Sequence, residues 1–305
     1  MNNKIRRPRF YFIIIFFTIS LCKAVKPSFY AYTSPLTMAL AGSGYLFSSL
    51  ISSKRNPSVI INTDKFSTGF IRYPAGITSQ SFGINFPWRK SATSFDLRYI
   101  NYGSFDGYDI DAHPTSTYHS SDTWLKINYS SVFKDRPIQF GTATSIYYSA
   151  LSNHKIASVL FSAGIQTIIK PLKMNFGLTI ENLGKTIIQS EKIVDEIEPQ
   201  IIISILKELS YLPMNIFVDG DLGKNFHSRN ISIGGIADIT NQMKLLWGTS
   251  TKKIDHNIQQ SFFSTIFGAS GFGFIYDTGD IKLIYGSYIY GVGSLIHGAE
   301  LEIKF

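Results

Sequence analysis

Gly298-Ala299-Glu300-Leu301-Glu302-Ile303-Lys304-Phe305 reads as a single extended strand. Side chains alternate across a strand, so Ala299, Leu301, Ile303 and Phe305 share one face, and Glu300, Glu302 and Lys304 share the other. A terminal segment of a soluble domain tends to fray. The last strand of a closed membrane barrel does not. It pairs with the first strand, turns one face to lipid and ends on an interfacial aromatic. The soluble alternative is a sandwich whose last strand happens to end in Phe. What separates the two is whether the rest of the chain carries the same pattern.

The other end of the chain points to the same compartment. Lys4, Arg6, Arg7 and Arg9 precede the apolar run Phe10–Leu21, and Cys22-Lys23-Ala24 follows it. That layout predicts a signal peptide over residues 1–24, cleaved before Val25; the apolar run is too short to span a bilayer. Cys22 fits a lipoprotein site poorly, because Leu21 stands where a small residue is wanted. Cleavage removes five basic residues and no acid, taking the net charge from +8 to +3. The basic balance is then a targeting feature and not a nucleic-acid footprint. The single cysteine also leaves, which excludes a disulfide, a thiolate nucleophile or a Cys-based metal site in the mature chain. Beyond the signal no run of roughly twenty apolar residues remains to form a membrane helix. The chain nonetheless carries 24 Phe and 17 Tyr at a mean hydropathy of +0.07. Lipid-facing and lumen-facing residues that alternate along strands cancel in this way.

The alternation recurs along the chain. Phe82, Ile84, Phe86 and Trp88 alternate with Ser81, Gly83 and Asn85, and Phe95, Leu97 and Tyr99 with Asp96 and Arg98. Leu125, Ile127 and Tyr129 oppose Lys126, Asn128 and Ser130; Met174, Phe176, Leu178 and Ile180 oppose Asn175, Thr179 and Glu181. Candidate strands fall at 65–73, 77–88, 92–102, 123–133, 138–151, 158–169 and 173–183. Seven more fall at 200–208, 213–222, 230–239, 243–252, 262–277, 280–291 and 295–305. The connections alternate too. Those at 89–91, 134–137, 170–172, 210–212, 240–242 and 278–279 are tight, whereas 103–122, 152–157, 184–199, 223–229 and 253–261 are longer. Short periplasmic turns set against longer outer loops mark a barrel. Pro74-Ala75-Gly76 breaks the rule, being short where an outer loop is due.

Residues 25–62 do not alternate and are rich in small residues. A barrel of this width needs a plug or conducts water. The fold expected is therefore all-β: a transmembrane antiparallel β-barrel of about 14 strands. Residues 25–62 form its N-terminal plug or hatch and residues 63–305 the barrel. Leu301, Ile303 and Phe305 belong to the closing strand, which is expected to pair with residues 65–73.

Three stretches together resemble the PorV/PorQ family of outer-membrane proteins, relatives of the FadL-type fatty-acid transporters. The first is Thr37-Met38-Ala39-Leu40-Ala41-Gly42-Ser43-Gly44 followed by the turn Asn56-Pro57-Ser58. The second is Tyr99–Asp109, similar to a strand and outer loop of the family. The third is Asn182-Leu183-Gly184 with Gly271–Phe274 and Tyr285–Phe305. Ser52-Ser53-Lys54-Arg55 departs from the family, which carries an acidic pair there. Terminal Phe305 is also similar to the insertion signal of bacterial outer-membrane proteins. The resemblance implies a Gram-negative outer-membrane location with both mature termini periplasmic. It implies either a non-enzymatic scaffold or shuttle in type IX secretion, with secretion components and cargo C-terminal domains as partners, or a FadL-like transporter of a hydrophobic ligand. Membrane lipid or lipopolysaccharide is an expected partner in both cases, and nucleic acid in neither.

No chemistry-bearing motif competes with that reading, and neither a catalytic residue nor a cofactor is expected. Asp106, Asp109, Asp111 and His113 sit within one loop, but the glycine and bidentate glutamate of an EF-type calcium loop are missing. A solvated outer loop is the other reading, with Phe105, Asp106, Tyr108 and Asp109 as partner contacts. The six histidines include no His-x-x-x-His pair. Gly184-Lys185-Thr186 ends like a P-loop, yet Thr179 stands where the first glycine belongs. Ile193, Val194 and Ile197 beside acidic neighbours could form an amphipathic turn ended by Pro199.

Overall fold

The computed structural model of the chain describes residues 24–25, 32–52, 55–109, 111–133, 136–151, 154–189, 196–197, 199–222, 229–252, 268–290 and 294–305. In chain order the elements begin with β1 (Ala24–Val25), α1 (Pro35–Ala39), β2 (Lys65–Arg72), β3 (Thr78–Trp88) and β4 (Ser91–Phe105). β5 (Tyr118–Val132), β6 (Ile138–Leu151), β7 (His154–Ile169), β8 (Met174–Gln189) and β9 (Glu196–Ile197) follow. The last seven are β10 (Gln200–Glu208), β11 (Met214–Leu222), β12 (Arg229–Asp238), β13 (Met243–Ser250), β14 (Ser270–Asp277), β15 (Ile281–Tyr290) and β16 (Ser294–Lys304).

Fourteen of the strands, all except β1 and β9, form one closed antiparallel barrel. Closure joins β16 to β2 with Ile303 opposite Phe66, Leu301 opposite Thr68 and Ala299 opposite Phe70. Each of the fourteen segments expected from the sequence corresponds to one barrel strand. The Phe305 N–H reaches the Asp64 carbonyl, so the closing strand is held at its last residue.

The strands are longer than expected on one side. β4 and β5 continue to Phe105 and from Tyr118, leaving residues 106–117 between them where a longer connection was expected. His154–Ala157 belongs to β7, and β8 runs to Gln189. The reason lies in register shifts, between Asn101 and Gly103 on β4 and between Phe161 and Ala163 on β7 opposite Asn182 of β8. A bulge inserts one unpaired residue and reverses which face the following side chains take. The alternation stops being legible there although the ladder continues. Residues 190–195, which hold Ile193 and Val194 of the expected amphipathic turn, lie outside the described residues, whereas Ile197 belongs to β9; most of residues 1–24, expected as a signal peptide, and the first part of the 262–277 segment also lie outside them.

The two faces invert the pattern of a soluble protein. Phe82, Phe86, Phe95, Leu97, Leu125, Ile127, Leu178, Trp247 and Leu301's neighbour Ile303 are outward and exposed, whereas Ser81, Asn85, Asp96, Arg98, Asn128, Glu300 and Glu302 are buried inside. So much contiguous exposed apolar surface marks a membrane interface, and barrel strands satisfy every backbone group within a bilayer. Trp88, Phe133, Tyr211, Tyr276 and Phe305 gather at the tight-turn end, as an aromatic girdle does. No helix among the described residues is long and apolar enough to cross a membrane; the strands do so.

Residues 32–52 and 55–62 fill the interior. Pro35 opens α1, where its missing N–H costs nothing and its fixed φ suits the first turn. The Thr37 hydroxyl donates back to Ser34 O, and the Gly42 N–H returns to Thr37 O, ending the helix with Gly42 at φ 88°. β1 pairs with β9 in the connection that follows β8.

Candidate functional site

The interior segment is seated on glycines. A Cβ added at Gly286 would strike the Pro35 carbonyl, one at Gly271 that of Met38, one at Gly248 the backbone of Leu40, and one at Gly141 the Pro57 carbonyl. Gly248 stands directly opposite both Gly234 and Gly271 on its neighbouring strands. The wall thus presents a bare track on which the segment's backbone lies. Glycine is the residue that permits such close backbone approach.

Around that track, wall side chains clasp the segment through its backbone. Gly44 N–H donates to Asp219 Oδ2 at 2.7 Å, and Arg98 donates to Ser52 O at 2.8 Å while pairing with Asp96 at 2.9 Å. Asn85 donates to Ile61 O and Thr63 O at 3.0 and 2.9 Å. The closing strand contributes two carboxylates. Glu300 accepts from Ser67 at 3.0 Å and Ser34 at 3.5 Å, and Glu302 accepts from Leu50 N–H at 3.5 Å beside Lys65 and Lys282. Glu300 and Glu302 of the closing strand therefore meet the segment and not open water, while Lys304 stays exposed.

The turn Asn56-Pro57-Ser58 is buried at the centre of this arrangement. Asn56 Oδ1 accepts from the Ser58 N–H at 2.9 Å and its hydroxyl at 2.7 Å, while Nδ2 reaches Ile165 O and Leu178 O at 3.2 and 3.3 Å. Arg55 donates to Ser49 O at 2.7 Å and to Ser94 at 3.3 Å. Burial lowers its pKa to about 10, with the Asp96 carboxylate acting in the opposite direction; it stays cationic at neutral pH. Arg55 is thus matched by an acid on the wall. Tyr45 donates to Glu181 at 3.4 Å. Burial, then the negative charges of Glu181, Asp221 and Asp219, hold its phenol well above the ordinary value.

On the other side of the segment the contacts are apolar. Tyr32, Met38 and Ala41 pack with Ile71, Tyr73, Tyr288 and Ile296 toward the long-connection end. Leu36, Ala39 and Leu40 pack with Phe217, Ile236, Leu246, Ile275 and Ile284 toward the tight turns. The helix α1 and the turn after it belong to both clusters. An apolar column therefore runs along the β11–β16 and β2 side of the lumen, with the five-residue helix packed between its two halves.

This geometry can be set beside known proteins. No protein-family model matches the chain, and no curated protein matches it in sequence. Among solved structures, the Pseudomonas putida toluene transporter TodX matches at 9% identity and a TM-score of 0.57, over 93% of this chain and 98% of that one. A second TodX structure matches at 10% and 0.55, over 89% and 98%. A Pseudomonas aeruginosa FadL homologue matches at 10% and 0.51, over 93% and 99%. The fold is the one these barrels share. At such identities the likeness is one of fold alone, and it is to FadL-type barrels; no PorV or PorQ protein is among these matches.

In this barrel the outer-loop candidates lie apart from the interior. Phe105 stacks on Tyr118 with ring centroids 5.4 Å apart, and Tyr108 bridges to Pro114. Asp109 accepts from the N–H groups of Asp111 and His113 at 3.0 and 2.8 Å, so its oxygens already serve the turn. Ligand atoms of Asp109, Asp111 and His113 come within 4.8 Å of one another on the exposed surface, without Asp106. Leu301, Ile303 and Phe305 point outward on the wall. The glycine track and the column escaped the sequence reading. Inward glycines on successive strands were visible as residues, but their alignment depends on strand register.

Proposed function

We propose that this chain is a bacterial outer-membrane channel for hydrophobic small molecules, with the interior segment as its hatch. The apolar column interrupted by α1 carries the reading. A hydrophobic molecule meets apolar side chains at both ends of the column and one short helix between them. The polar clasps on Asn56, Arg55 and Gly44 hold the remainder of the segment, so α1 is the part whose displacement would join the two halves. The fold shared with a toluene transporter and a FadL homologue supports it. In this reading the tight-turn end with Phe305 faces the periplasm, and transport proceeds without bond making. The test is uptake of radiolabelled toluene into vesicles carrying the protein. Entry above that of empty vesicles is expected; entry equal to theirs contradicts the proposal.

A scaffold role in type IX secretion, as the PorV/PorQ resemblance implies, is the second reading. What supports it is the extended β4–β5 hairpin, whose tip exposes Phe105 and Tyr108 where a protein could dock. Affinity purification from gently solubilised outer membranes tests it. Co-purified sortase or cargo C-terminal domains would favour it over the channel, and bound hydrophobic ligand without protein partners would reject it.

A further inference from the structure

The outer wall is not smooth at the seam where the barrel closes. A groove of about 340 Å³ lies across β15, β16, β2 and β3, a volume at the small end of ligand pockets. Thr68 and Ala299 form its floor, and Phe70, Phe82, Leu283 and Leu301 its walls. These side chains share the outward face, since Phe70 pairs with Ala299 and Thr68 with both Leu301 and Phe82. The depression exists because two small outward residues are ringed by larger ones.

Two residues farther along the same face, toward the long-connection end, Arg72 stands directly opposite His297. Both are exposed, and among the described residues neither side chain makes a hydrogen bond or an ion pair. A rise of two residues along a strand is about 7 Å, so this pair sits immediately above the groove where β2 ends. An apolar slot at bilayer depth capped by a guanidinium and an imidazole is complementary to one kind of molecule: an acyl chain carrying an anionic head.

We infer that the β16–β2–β3 seam binds a phosphate-bearing membrane lipid, with one acyl chain in the Thr68–Ala299 groove and the phosphate on Arg72 and His297. Guanidinium groups favour phosphate through paired, charge-assisted hydrogen bonds. The apolar slot alone would accept any lipid tail; the cationic pair is what selects the head. The lipid site is on the outside of the wall and does not depend on what passes through the lumen.

Native mass spectrometry of the full chain in mild detergent tests this, with dioleoyl phosphatidic acid and dioleoylglycerol as probes that differ only in the phosphate. The wild-type chain should retain phosphatidic acid about tenfold better than dioleoylglycerol. Arg72→Gln with His297→Gln should reduce that preference to about one. Ala299→Leu, which fills the groove with an outward apolar side chain, should lower retention of phosphatidic acid about fivefold or more. Thr68→Leu is the second groove-filling variant, and heat-modifiable electrophoretic mobility confirms folding of each. Equal retention of the two lipids by the wild-type chain would overturn the inference. So would a preference unchanged in the double variant, or undiminished binding when the groove is filled.

Discussion

The backbone N–H of Gly44 donates to Asp219 Oδ2 at 2.7 Å, across 175 positions of sequence. The bond fixes the turn after α1 to β11 and so limits how far the helix can move. Removing it should loosen the segment locally and leave the barrel intact. A buried hydrogen bond to a charged group contributes about 1.5–3 kcal/mol. Asp219→Ala should therefore speed amide exchange over residues 40–47 about ten- to hundredfold, read by mass spectrometry. Asp219→Asn, which keeps an acceptor, should change it less.

The glycine track gives a prediction with its own control. At Gly248 a Cβ meets the backbone of Leu40, whereas at Gly220 it meets nothing within 4 Å. Overpacking a tight site costs about 1–3 kcal/mol. Gly248→Ala should lower the thermal unfolding midpoint in detergent, and Gly220→Ala should leave it near that of the wild type. Similar behaviour of the two would remove the steric role assigned to the track.

Asn56 joins the segment to two wall carbonyls and to its own turn. Asn56→Leu keeps comparable bulk but leaves these groups without their partner. Each buried group so stranded costs about 1–3 kcal/mol. The expected outcome is a lower urea midpoint and new protease cleavage within residues 40–60. Asn56→Asp retains the acceptor for Ser58 but lacks the donor for Ile165 O and Leu178 O, and should also be destabilised.

On the outer face, Leu301→Arg places a charge toward lipid within the closing strand. Such substitutions cost about 2–4 kcal/mol at the bilayer midplane and much less near the interface. Equilibrium folding into phospholipid vesicles should show that loss for Leu301→Arg. Lys304→Ala, at the strand end, should fold like the wild type.

How much of this was legible beforehand follows from particular residues. Phe82 to Trp88 and Met174 to Ile180 announced their outward faces because alternation needs only local sequence. The pairing of the closing strand with residues 65–73 was predictable, since a closed barrel leaves the first strand as the one place for it. Past Gly103 and Asn182 legibility ended, because one bulged residue reverses the faces that follow. Glu300 and Glu302 read correctly as inward but not as clasps for Ser34 and Leu50, contacts separated by more than 250 positions. The apolar column was invisible for the same reason. Leu36 and Ile284 carry no shared local pattern, and only the closed barrel brings them together.

The central claim is that α1 must move for a hydrophobic molecule to pass. A Cβ at Gly234 meets Ser43 Oγ, so Ser43→Cys with Gly234→Cys can bridge the turn after α1 to β12. The chain's single cysteine, Cys22, lies in the stretch expected to be a cleaved signal peptide. Radiolabelled toluene entry into vesicles carrying the double variant should fall to the level of empty vesicles when oxidised and recover on reduction. The single-cysteine variants should transport under both conditions. Unchanged entry through the oxidised, cross-linked protein would contradict the account.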